Sequence, residues 1–151
     1  MSHPSMQNIG AFIKGIACAL FTATAAGTGD NTKVNGVTID RLGFGSCQLA
    51  ATYKTTLGLA ETLTLAVEIQ ESDLGDGSDW TTADVIYAAT TVETGVQTAK
   101  VGEKLTDIDL SERKRYVRFN ITPNLSAAGT DTVVGGLVCT LGGAASVPAH
   151  S

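Results

Sequence analysis

Charge is the first thing this chain is short of. Of its 151 residues only 17% are Asp, Glu, Lys or Arg, against about 25% in an average globular protein. That shortage disfavours a solvated helical bundle, whose outer faces need Glu, Lys and Arg. It also disfavours a disordered chain, which would hold more charge and fewer apolar residues than the 43% found here. Aromatics are only 5%. Basic residues number ten against fifteen acidic ones, for a formal net charge of −5. A general nucleic-acid binder neutralises many phosphates with Lys and Arg, so no nucleic-acid partner is expected. Two His and three Cys leave little material for a metal site, and no cofactor is expected. His3 and His150 lie in opposite tails, far from any Ser or Cys motif with a base and an orienting acid. GxGxxG, P-loop and HExxH motifs are missing, so the sequence argues against an enzyme. The longest apolar stretch, residues 9–26, is broken by Lys14 and diluted by Gly and Thr. A spanning helix wants about 20 apolar residues, and the run after Lys14 is short for a signal peptide. No membrane partner is expected.

What the chain has is Thr, Ala and Gly, at 21, 19 and 17 copies. Its length is that of one domain able to close a core unaided. Residues 61–70, ETLTLAVEIQ, alternate strictly, with Leu63, Leu65, Val67 and Ile69 on one side. Period two means a strand with one buried face. Residues 115–122 repeat the pattern with Val117, Phe119 and Ile121, and Pro123 is expected to end that strand. Residues 132–141 are apolar on both faces, and Gly135-Gly136 there signals a bulge or a close backbone approach. Weaker strands are expected at 34–42, 46–53, 84–89 and 92–100. Residues 13–25 read as a short helix or equally as a strand. Gly- and Asp-rich turns separate these segments. The pattern is all-β: an antiparallel β-sandwich, jelly-roll-like, over residues 13–141. Residues 1–12 read as an N-terminal arm and 142–151 as a C-terminal tail, both extended and able to reach neighbouring subunits.

Four groups of residues carry possible function. Asp73, Asp76 and Asp79 share one Gly-rich segment, but their spacing misses the EF-hand pattern, and a turn explains them. Arg113, Lys114, Arg115 and Arg118 concentrate four of the ten basic residues. They are either a solvated turn or a docking patch for an acidic protein surface. Cys18, Cys47 and Cys139 are odd in number, so they are buried thiols or include an interchain disulfide. Trp80 and Tyr87 would stack on sugar rings if the sandwich bound carbohydrate.

Residues 61–84, ETLTLAVEIQESDLGDGSDWTTAD, resemble the strand, acidic turn and Trp of small structural proteins in tailed bacteriophages. Residues 116–149, YVRFNITPNLSAAGTDTVVGGLVCTLGGAASVPA, resemble their last two strands and small-residue tail. The relatives suggested are capsid decoration, or cement, proteins. The resemblance implies a virion protein on the outer surface of the capsid, bound to the major capsid protein and to itself as a dimer or trimer. It implies no active site. A tail or fibre β-domain, or a carbohydrate-binding sandwich, is the alternative. Apolar burial would supply most of the affinity, and the four basic residues would orient the subunit.

Overall fold

Alternation decides the core. The computed structural model describes residues 9–127 and 129–144. Leu63, Leu65, Val67 and Ile69 line the buried face of β4 (Thr62–Ser72), and Val117, Phe119 and Ile121 that of β7 (Tyr116–Leu125). Facing them are Leu49 and Ala51 of β3 (Phe44–Thr56) and Leu137 and Leu141 of β8 (Thr132–Ala144). The other strands are β1 (Lys14–Thr24), β2 (Ile39–Asp40), β5 (Thr81–Thr94) and β6 (Ala99–Asp109).

The strands form two four-stranded sheets, β1-β8-β3-β6 and β2-β7-β4-β5. β4 pairs with β5, β3 with β6, β2 with β7 and β1 with β8, all antiparallel. This is one long hairpin, folded at the β4–β5 turn and rolled so that β3 meets β8 and β4 meets β7. That wiring is the eight-stranded jelly roll, the fold class the sequence pattern called for.

Several elements differ from the sequence reading. Residues 14–24 are a strand: Cys18, Phe21 and Ala23 point inward, and a bulge between Ala17 and Ala19 resets the alternation. Pro123 does not end β7 but sits inside it, opposite Leu65. Ile121 exchanges both backbone bonds with Val34, on the side away from β4. Pro123, two residues on, turns its nitrogen the same way, so β4 loses no ladder bond. The expected strand at 34–42 is reduced to β2 and a bridge at Val34. The expected strands at 84–89 and 92–100 are one strand, β5, and the turn that follows it. Most of β6 was not anticipated at all. β8 runs on to Ala144, so Gly142 and Gly143 belong to the sheet rather than the tail. Of the N-terminal arm, residues 9–11 form a single 3-10 turn. The rest of the arm and residues 145–151 of the tail lie outside the described residues.

Candidate interaction surfaces

The acidic turn and the basic segment, which look independent in the sequence, meet in the fold. The turn between β4 and β5 is built around Asp79, whose carboxylate accepts hydrogen bonds from the Ser72 hydroxyl and from the backbone N–H of Asp73 (2.8 Å) and Leu74 (3.3 Å). The Ser72 hydroxyl bond is the main reason its carboxyl sits below the usual range. Gly75 has a positive φ of 71°, and the Tyr116 ring occupies the space a Cβ would need. The segment leading into β7 then closes on this turn. Lys114 Nζ lies 2.6 Å from Asp73, and Arg113 Nη2 lies 3.2 Å from Asp84. Arg118 donates to Gln70 Oε1 at 2.8 Å and stacks over Trp80, 4.5 Å from its ring centre. Arg115 reaches back to Asp40 of β2 at 2.7 Å and holds that carboxyl low. Each of the four basic residues therefore has a partner inside the chain.

Sequence reasoning did not single out Arg41, which organises this corner. Its guanidinium donates to the carbonyl oxygens of Lys114 (2.8 Å), Phe44 (3.3 Å) and Arg113. Its main partners lie 72 and 73 residues away, so no local spacing could have revealed it.

The three cysteines converge. Cys139 sits in β8 between β1 and β3, and Cys18 and Cys47 approach it from either side. All three thiols are free and buried. Both neighbours and burial push the Cys139 thiol up, so it stays protonated. A disulfide to a second chain would first need one of these buried thiols to become exposed. Among the described residues no group of three His, Cys, Asp or Glu side chains is arranged to hold a metal ion. No helix among them is long and apolar enough to cross a membrane.

Trp80 and Tyr87 do not form a platform. Trp80 has Arg118 over its ring, and Tyr87 lies at the edge of the core with Lys104 Nζ 5.0 Å from its ring centre. Both rings are half-buried, and each already has its own cation.

The surface most unlike the rest is the outer face of the β1-β8-β3-β6 sheet. Ala17, Val138, Ala50 and Leu105 stand side by side in one row across all four strands. The next row is Leu20, Gly136, Thr52 and Glu103, and the one after it Thr22, Val134, Lys54 and Val101. Leu20 is 82% exposed and Val101 80%; Leu105 and Val134 are each 50% exposed. Isolated exposed apolar residues are ordinary, but a contiguous patch marks a contact surface. The sequence hinted at it, since residues 132–141 are apolar on both faces and only one face can enter the core.

No protein-family profile and no curated sequence matches the chain. Among solved structures, the T13 crystal structure of the infectious bursal disease virus particle aligns with 91% of this chain and 32% of its own, at TM-score 0.50 and 17% identity. The PBSX exported protein XepA aligns with 89% of this chain and 38% of its own, at TM-score 0.45 and 22% identity. A xylan-binding CBM22 domain from Paenibacillus barcinonensis aligns with 86% of this chain and 85% of its own, at TM-score 0.40 and 10% identity. The chain spans about a third of the length of the viral and XepA chains. The likeness to the viral particle protein is one of fold: an antiparallel β-sandwich wired as a jelly roll.

Proposed function

We propose that this chain is a structural protein of a virion, a decoration or cement domain that clamps neighbouring subunits on the outer surface of a capsid. The observation that carries the reading is the broad apolar face of the β1-β8-β3-β6 sheet on a jelly-roll domain. A free monomer gains nothing from such a face, whereas an assembly unit buries it. The partners are the major capsid protein and further copies of this chain. A clamp has no need of an active site, and the charged contacts of Asp79 and Arg115 are made within the chain itself.

The paired state of Arg113, Lys114, Arg115 and Arg118 bears on how such a clamp would be oriented. Exposed ion pairs contribute about 0–1 kcal/mol each. An acidic shell surface can therefore compete with Asp73, Asp84 and Asp40 for these cations at little cost, and the patch sets orientation while apolar contact supplies affinity. The test is to band purified particles on a density gradient and count bound copies of the chain. Many copies per shell are expected, retained in 1 M salt, where charges are screened beyond about 3 Å. Retention with and without a reductant would agree with the buried thiols. A chain that stays at the top of the gradient, or bands with tails or fibres instead of shells, overturns the reading.

A further inference from the structure

We infer that the outer face of the β1-β8-β3-β6 sheet docks onto the same face of a second copy of this chain. This rests on the reading above in taking the chain as an assembly unit, and it assigns this face to the contact between copies, so that the shell is met by the remaining surface, which still exposes Leu42, Leu59 and Leu74.

Charge selects the occupant. Lys54 and Glu103 are both exposed on this face, in adjacent rows of adjacent strands. Neither forms an ion pair or a side-chain hydrogen bond among the described residues. Lys33, Lys100, Arg113, Lys114 and Arg115 all do. The other acids of this register, Asp107 and Asp109, accept from Gln48 Nε2 at 3.0 Å and the Ser111 N–H at 2.8 Å, and one unpaired positive and one unpaired negative group is the arrangement that a two-fold axis makes complementary to itself.

The register fixes where that axis falls. Neighbouring strands lie about 4.8 Å apart, and same-face residues along a strand about 6.7 Å apart. A two-fold axis in the contact plane, equidistant from Lys54 and Glu103, then passes over Thr52 and Gly136. Turning a second copy about this axis sets Lys54 against the partner's Glu103, and Glu103 against the partner's Lys54. The same turn, with nothing further adjusted, lays Leu20 on the partner's Val138 and Val134 on the partner's Leu105. Strands of the two copies cross steeply, as in the orthogonal class of sheet packing.

The size is sufficient. Four strands by about ten residues give roughly 600 Å² of face per copy, the lower end of specific protein interfaces. Because Gly136 has no side chain, the Leu20 side chain folds over it, 3.1 Å from where a Cβ would stand, and caps the centre of the face.

Sedimentation equilibrium of the full chain tests this. The wild type should be a dimer. Lys54→Glu and Glu103→Lys should each weaken it about tenfold or more, because each puts like charges together twice across the axis. The double variant Lys54→Glu with Glu103→Lys should restore wild-type association. Circular dichroism of each variant would confirm an unchanged fold, and Leu20→Asp serves as a second variant that should leave the chain monomeric. A wild-type chain that is monomeric at about 100 μM, a trimer, or a double variant as weak as the singles would overturn the proposal. Gradient banding separates the two readings. A monomer that still bands with shells removes the dimer face and leaves the shell role. A dimer that never bands with shells does the reverse.

Discussion

The two sheets share one core but treat their outer faces in opposite ways. On the β2-β7-β4-β5 sheet the outward residues bond to one another. Asn120 is buried at 1% exposure, donates to Glu68 at 3.0 Å and accepts from the Gly36 N–H at 3.2 Å. Lys33 covers Glu68 at 2.8 Å, and Arg118 and Gln70 are paired beside them. That face is finished within the chain. On the β1-β8-β3-β6 sheet the outward residues are mostly Ala, Val, Leu and Thr; Gln48 and Asp107 bond to each other at 3.0 Å near one end, and Lys54 and Glu103 lack partners among the described residues. A polar network closes a surface, because each group is already satisfied. An apolar face closes only when something covers it.

The largest effects should be the same in both sheets, because the inner faces are one core. Phe119→Ala in β7 and Leu49→Ala in β3 replace fully buried side chains. They should cost about 3–5 and 2–5 kcal/mol in urea unfolding. A much smaller loss for Leu49 would mean that the first sheet is not stably packed alone.

The outer faces should then diverge. Asn120→Ala strands the Gly36 N–H and removes a bond to Glu68, so it should cost about 1–3 kcal/mol. Thr52→Ala, on the opposite outer face, should change stability by no more than about 0.5 kcal/mol. Equal losses at the two positions would erase the distinction.

Tyr87 sharpens the comparison at the open edge between β5 and β6. Burial pushes its phenol up to about 12. In the unfolded chain it ionises near pH 10. Its neutral form therefore favours the fold fully below about pH 10, and that contribution is lost as pH rises through 10 towards 12. Its hydroxyl has no hydrogen-bond partner among the described residues. Tyr87→Phe should therefore flatten alkaline unfolding and raise stability at neutral pH by about 1 kcal/mol.

The smallest effect is expected at Leu20. In the monomer Leu20→Ser should change the melting free energy by less than about 0.5 kcal/mol. A large loss would show that this side chain supports its own domain rather than a contact.

Most of the fold was readable in the sequence wherever burial is one-sided. Residues 61–70 and 115–122 alternate because one face meets the core and the other meets polar neighbours. The signal failed at the edges. β5 pairs with β4 through four register shifts and buries little, so no clean period survives in its sequence. β6 alternates Val101, Glu103, Leu105 and Asp107 on its outer side, which mimics neither a core strand nor a surface one. Pro123 misled because a proline is fatal only on the bonded side of a strand. The basic cluster and the acidic turn were both visible, but not their union. Lys114 and Asp73 are 41 residues apart, and only the rolled hairpin brings them together. The apolar outer face was half visible, as the two-sided residues 132–141.

The nesting of the strand pairs has a kinetic consequence. β4 and β5 are joined by a short turn and can pair first. Each later pair, β3 with β6, then β2 with β7, then β1 with β8, closes a longer loop than the one before. Loop-closure entropy rises with each step, so folding should proceed from the middle of the chain outward and on the slow, millisecond-to-second scale of non-local β topologies. β1 and β8 are the last strands to zip, and they hold Leu20, Val134 and Val138. The sticky face is therefore assembled only when the rest of the domain is already in place, which keeps partly folded chains from joining one another too early.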